Sequence, residues 1–194
     1  SERTGNTLEN ADDINPLLKE QGINALFAGH IHAQNISSDG LTREIITGAL
    51  SIFPNSIGEI TLNADGLTYN HRELAVEAWA EATNQTDPDL LSYSQTSYDI
   101  FYDYGATLGL MQMFEEQWYQ VEYEEDVMDF VGLLNVRYFS GLDFGKDEEL
   151  ANHPGYKIIQ ENSKGFLKEY STRSLEDNDL DDRKLFIPNE YLVK

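Results

Sequence analysis

The chain has 194 residues, with 35 acidic against 13 basic side chains and a net charge of −22, a field that repels phosphate and makes nucleic acid or anionic membrane a poor partner. It has no cysteine, hence no disulfide framework, iron-sulfur cluster or thiolate zinc site, and no apolar run approaches the length of a membrane span. Its hydrophobic content of 40%, with 9 Phe and 11 Tyr, is enough to bury one large core or two small ones.

Ser1 to Asn10 is polar and aperiodic and reads as a loop or frayed end. Ser1 opens no signal peptide and is no initiator, which predicts a processed chain or a piece of a longer one. Asp12 or Asp13 is placed to cap a helix that runs to Glu20, with Lys19 near its negative end and Gly22 closing it. Ile23 to Ala28 is a short apolar run of the kind that forms a strand buried on both faces of an α/β sheet. Gly29 ends it and begins the loop Gly29-His30-Ile31-His32. Further strands are predicted at Arg43 to Thr47 and at Ile57 to Leu62, the latter joined to Leu67 to Arg72 by the turn Asn63-Ala64-Asp65-Gly66 as a hairpin. These elements supply too few βα units to cover both faces of a sheet, so a full domain is expected to begin upstream.

Beyond Leu74 the apolar period changes from two to 3.6. Asp87-Pro88 is a helix start, and Leu90, Leu91, Ile100, Phe101, Leu108, Met111 and Phe114 predict one long or broken helix to about Gln117. Gly105 and Gly109 weaken its interior unless close packing requires them. A second helix is predicted over Glu124 to Tyr138 on a stripe of Val127, Phe130, Val131 and Leu134. Shorter helices are expected at Asp147 to Asn152 and Tyr156 to Tyr170, separated by His153-Pro154-Gly155. Glu176 to Asp182 reads as an acidic loop, and Leu185 to Leu192 as an extended segment docked on the helices. The division at residue 75 also divides the charge: 1–74 hold ten acidic and four basic residues, and the rest hold 25 and nine.

The strongest chemical signal is the pair His30 and His32. Two imidazoles at i and i+2 in an irregular loop can fan around one space, whereas in a regular strand they face opposite ways. Neutral imidazole is the commonest side-chain ligand for zinc, manganese, iron and cobalt. The end of a strand is where α/β sheets place ligands. Two ligands are too few for a firm site, so carboxylates must come from elsewhere. The bland alternative makes one histidine a loop hydrogen-bonder and leaves the other on the surface.

Ile23-Asn24-Ala25-Leu26-Phe27-Ala28-Gly29-His30-Ile31-His32 resembles the final metal-binding motif of the calcineurin-like metallophosphoesterases, and Ile45-Ile46-Thr47-Gly48-Ala49 with the strands through Arg72 resembles the closing half of their β-sandwich. The order of a sandwich ending followed by a Tyr-rich acidic helical region is similar to the bacterial cyclic-nucleotide phosphodiesterases of that superfamily. The resemblance implies an α+β fold: the C-terminal part of a four-layer metallophosphoesterase sandwich over 1–74, then a helical domain over 75–194. It implies that His30 and His32 are metal ligands, each of one of two neighbouring ions, divalent or trivalent (Mn, Fe or Zn), that activate water against a small phosphate ester, cyclic nucleotides included. The Asp-x-His, bridging aspartate, Asn-His motif and further histidine of that site do not occur before Gly29. No catalytic set is complete here, and the N-terminal catalytic segment is expected as a partner in cis. Alone, the chain is expected to be inactive and to bind no metal tightly. Bacterial cytoplasm and cell surface both fit, and the oligomeric state is open. The alternative is a noncatalytic module that caps a cleft or mediates self-association.

Other candidates have plainer readings. His71 reads as a surface histidine, and His153 as structural or exposed. Glu122, Glu124, Glu125, Asp126 and Asp129 form a solvated helix start that complements the dipole. Asp177, Asp179, Asp181 and Asp182 lack the glycine and distal glutamate of a calcium loop. Met111, Met113, Phe114, Trp118 and Tyr119 are expected in a core or domain interface rather than around a base. No glycine-rich phosphate loop or nucleophile elbow is present.

Overall fold

The computed structural model describes residues 11–142, 147–176 and 180–192. The chain folds as an α+β protein with two small sheets and a helical C-terminal region. Helix α1 (Ala11–Glu20) leads into β1 (Ala25–Ala28), β2 (Asn35–Ser38) and β3 (Arg43–Ile46), in the order β1-β3-β2, with β1 parallel and β2 antiparallel to the central β3. Strand β2 has no counterpart in the periodicity, because Asn35-Ile36-Ser37-Ser38 carries a single apolar side chain, and that one, Ile36, is buried. Strand β1 was expected to be buried on both faces, yet Phe27 is 46% exposed, since among the described residues this is a three-stranded sheet with β1 at its edge.

The predicted hairpin forms from β4 (Ser56–Leu62) and β5 (Gly66–Glu73), paired in register from Ser56 opposite Glu73 to Leu62 opposite Leu67. The other edge of β5 is taken by β6 (Lys184–Pro188), giving the order β4-β5-β6. The segment expected on the helices therefore returns to the first part of the chain as a strand. Gly66 permits the approach: its φ is +152°, and a Cβ there would lie 2.2 Å from the Ile187 carbonyl oxygen. Ile36 and Ile45 of the first sheet share one core with Leu67, Tyr69 and Ile187 of the second.

Helix α2 (Val76–Ala82) opens the helical region, and α3 (Pro88–Leu91) starts as predicted, the Asp87 carboxylate accepting from the Asp89 amide. The chain breaks at Ser92 before α4 (Tyr93–Glu115), and α5 (Glu124–Ser140) packs along α4. Both interior glycines of α4 lie at this crossing: a Cβ on Gly105 would meet the Asn135 side chain at 2.8 Å, and one on Gly109 the Val131 side chain at 3.0 Å. Close packing is thus what they supply, at the cost of helix propensity. Helix α6 (Glu148–Ala151) precedes α7 (Pro154–Asn162) and α8 (Phe166–Glu176). The helix expected over Tyr156 to Tyr170 is two helices, because Ser163 leaves the helical conformation and its hydroxyl binds the Glu116 carboxylate at 2.6 Å. Met113, Val127, Phe130, Val131, Leu134, Leu150, Ile159 and Leu167 form the helical core.

Candidate functional site: the histidine loop and its anchor

Strand β1 ends at Ala28, and the next four residues carry both histidines across to Ala33 and Gln34, which are buried. His30 and His32 have φ of +83° and +62°, a conformation that side-chain-bearing residues adopt rarely and at a cost of about 1–3 kcal/mol each. Their side chains are exposed, and among the described residues neither ring has a hydrogen-bond partner. Strained backbone thus holds two free imidazoles at a sheet end.

Gln34 is what over-determines the loop. Its amide donates to the Phe139 carbonyl in the last turn of α5 at 3.1 Å, and its side-chain NH₂ donates to the Asp182 carbonyl at 2.5 Å. The side-chain oxygen of Gln34 accepts from the Tyr69 hydroxyl at 3.0 Å, which is also bonded to the Thr47 hydroxyl at 2.9 Å. The Asp182 carboxylate accepts from the Ile36 amide at 2.5 Å. Gly141, with φ of +64°, closes this junction; a Cβ there would lie 2.9 Å from Gln34 Cγ and 3.0 Å from Asp182 Cβ. Gln34, two residues after His32, therefore binds the histidine loop to both the helical region and the segment that leads into β6. Sequence reading missed Gln34 and Tyr69, since a glutamine beside a loop and a tyrosine in a strand carry no site signature. Asp182, expected in an acidic loop, is buried, its carboxylate accepting from the Ile36 amide on the edge of β2 that has no paired strand among the described residues.

The two remaining histidines have structural partners. His71 was expected on the surface but is 8% exposed, on the β5 face that also carries Leu67 and Tyr69. Its Nδ1 accepts from Arg183 Nε at 3.2 Å. Burial first, and the Arg183 charge second, push its pKa down to about 4. His153 caps α7, its Nδ1 accepting from the Gly155 amide at 3.1 Å while Nε2 faces the Asp129 carboxylate at 3.1 Å. Asp129 also binds the Tyr102 hydroxyl, so it joins α4, α5 and α7 rather than standing in a solvated row. Glu124, Glu125 and Asp126 occupy the first turn of α5 as expected. Asp177 and Asp179 lie outside the described residues, and the Asp181 carboxylate accepts from the Arg183 amide at 2.9 Å. Met113 is core, with Trp118 and Tyr119 packed against it, whereas Met111 and Phe114 point outward.

Two imidazoles do not complete a metal centre. Among the described residues no group of three or more His, Cys, Asp or Glu side chains is gathered closely enough to hold an ion. The described helices include none long and apolar enough to cross a membrane.

The fold and this junction define a two-part protein in which a helical region is stitched to a small β region that presents a strained histidine loop. Residues 75–181 match the family described as the C-terminal domain of cyclic nucleotide phosphodiesterase, and the chain belongs to that family. The match covers α2 to α8 and stops before β6, the strand that returns to the other part. No curated protein matches the chain.

Proposed function

We propose that the chain is the C-terminal portion of a metal-dependent phosphodiesterase, with His30 and His32 forming the downstream edge of a two-metal site. The observation that carries this reading is the family match over the helical region. The geometry of the loop supports it: exposed imidazoles on left-handed backbone, fixed from behind by Gln34, suit ligands positioned for an ion rather than surface residues. The substrate class of this reading is a small phosphate ester, cyclic nucleotides included, in line with the family's description. Polymeric nucleic acid is opposed by the net charge of −22.

Among the described residues this chain brings two imidazoles to the loop and gathers no carboxylate with them, so no catalytic step is assigned to it. Its own contribution is to hold those imidazoles in place and to join them to the helical domain. The four-layer sandwich, the Asp-x-His and Asn-His elements and the remaining ligands are expected in the preceding part of the parent protein. A parent sequence without them would overturn the reading. For the chain itself, calorimetric titration with Mn²⁺ or Zn²⁺ is expected to give weak binding that His30→Ala with His32→Ala abolishes, and no hydrolysis of 3′,5′-cyclic AMP. A tight two-ion site in the isolated chain would refute the assignment of the missing ligands.

A further inference from the structure

Between Arg72 and Arg137 the sequence contains no Lys, Arg or His, against fourteen Asp and Glu. This cation-free stretch contains α2, α3, α4 and most of α5. On α4 it also carries apolar side chains on the face turned away from α5. Ile100, Tyr104, Met111 and Phe114 are 67%, 69%, 52% and 56% exposed. Ile100, Tyr104 and Met111 are spaced at i, i+4 and i+11, which puts them in line, and Phe114 continues the same side. The buried residues Phe101, Gly105, Gly109 and Met113 take the opposite side. Four side chains of this size, half to two-thirds exposed, present on the order of 400 Å² of apolar surface. That is within the size range of the largest apolar patch on a monomer, which is often a functional surface.

Beside this stripe, α4 and the start of α5 enclose a groove of about 690 Å³ whose charged lining is entirely acidic: Asp103, Glu124, Glu125, Asp126 and Asp129. Its apolar lining includes Val121 and Met128. Apolar stripe and acidic groove lie side by side on one face, with Asp99 and Asp103 along the border.

We propose that this face of α4 docks a basic amphipathic helix of a partner protein, with its apolar side on Ile100, Tyr104, Met111 and Phe114 and its Lys or Arg side chains over the acidic groove. Charge chooses this occupant. A second copy would bring the same acidic border against this one with no cation from the 72–137 stretch to answer it, and like charges across an interface repel. A cationic helix turns that border into attraction and leaves the stripe to supply the apolar contact. A helix laid along the whole of α4, about 34 Å long, also covers the groove and approaches the roughly 800 Å² per partner of a stable complex.

The test uses this chain and a fluorescein-labelled 18-residue peptide of alternating Leu and Lys at helical spacing, read by anisotropy. Saturable binding is expected, weakened at least tenfold between 50 and 300 mM NaCl. Ile100→Glu with Met111→Glu, both exposed positions, is expected to weaken it at least tenfold, while Ile60→Glu on the exposed edge strand β4 leaves it unchanged. A peptide with Ser in place of every Leu is expected to bind at least tenfold more weakly. Equal binding of the Ser peptide, or of the double variant, overturns the proposal. So does a concentration-dependent dimer of the unmodified chain, seen by sedimentation, that the double variant disperses. Should the double variant unfold, a spin-labelled peptide on the unmodified chain decides: broadening of the Ile100 and Met111 methyl signals is expected, and broadening elsewhere refutes it.

Discussion

His71 converts its burial into a pH dependence whose size follows from the structure. In the unfolded chain its imidazole titrates at the ordinary value of 6.5, and in the folded chain burial and Arg183 hold it at about 4. Above about pH 6.5 both states are neutral and the group contributes nothing. Below that, the unfolded chain takes up a proton that the folded chain refuses, so stability falls as pH drops, by about 1.4 kcal/mol per unit until the folded imidazole titrates too. Between pH 7.5 and pH 5 the loss from this group is about 2 kcal/mol, and it levels off near 3 kcal/mol below pH 4. Gln in place of His71 keeps an acceptor for the Arg183 guanidinium and has no proton to gain. The difference in unfolding free energy between His71→Gln and the unmodified chain, measured by urea denaturation across pH 5 to 8, isolates this group from the many surface carboxylates. The variant is expected to gain about 2 kcal/mol relative to the unmodified chain on going from pH 7.5 to pH 5. A difference that stays constant across the range would mean that His71 takes up its proton in the folded state, and the burial argument would fail.

Tyr69→Phe removes the hydroxyl shared by Gln34 and Thr47 inside the core and is expected to cost about 1–3 kcal/mol in chemical denaturation; a neutral effect would show the junction to be satisfied without it. Asp182→Ala leaves the Ile36 amide without its acceptor, so that amide is expected to exchange hydrogen with solvent markedly faster while the α4 amides keep their rates. Gly155→Ala would set a Cβ 2.1 Å from the Asp126 carbonyl oxygen, forcing α7 from α5, and is expected to cost about 2–3 kcal/mol by circular dichroism melts. His30→Gly and His32→Gly relieve positive φ and are each expected to raise stability, by up to about 1 kcal/mol after the entropy of the more flexible unfolded chain is counted. A loss on either substitution would contradict the strain assigned to the loop.

Local chemistry made much of this protein readable from its residues alone. The Asn63 to Gly66 turn sets the β4–β5 hairpin, Asp87-Pro88 starts α3, the stripe on α5 predicts its buried side, and the histidine pair falls in a loop after a strand. Each of these depends on neighbours a few residues apart, where propensity and period act directly. What tertiary structure alone decided depends on residues far apart in the chain. Leu185 to Ile187 is as apolar as many docked tails, and only the open edge of β5 beside Gly66 makes it a strand of the first part. Asp182 sits in an acidic run that reads as a loop, and is buried where its carboxylate accepts from the Ile36 amide. Gln34 has no local signature, yet it is the residue through which α5, Asp182 and Tyr69 hold the histidine loop. Periodicity records which side of a segment avoids water, but hydrogen bonds across about 150 residues of chain are fixed only when the backbone brings donor and acceptor together.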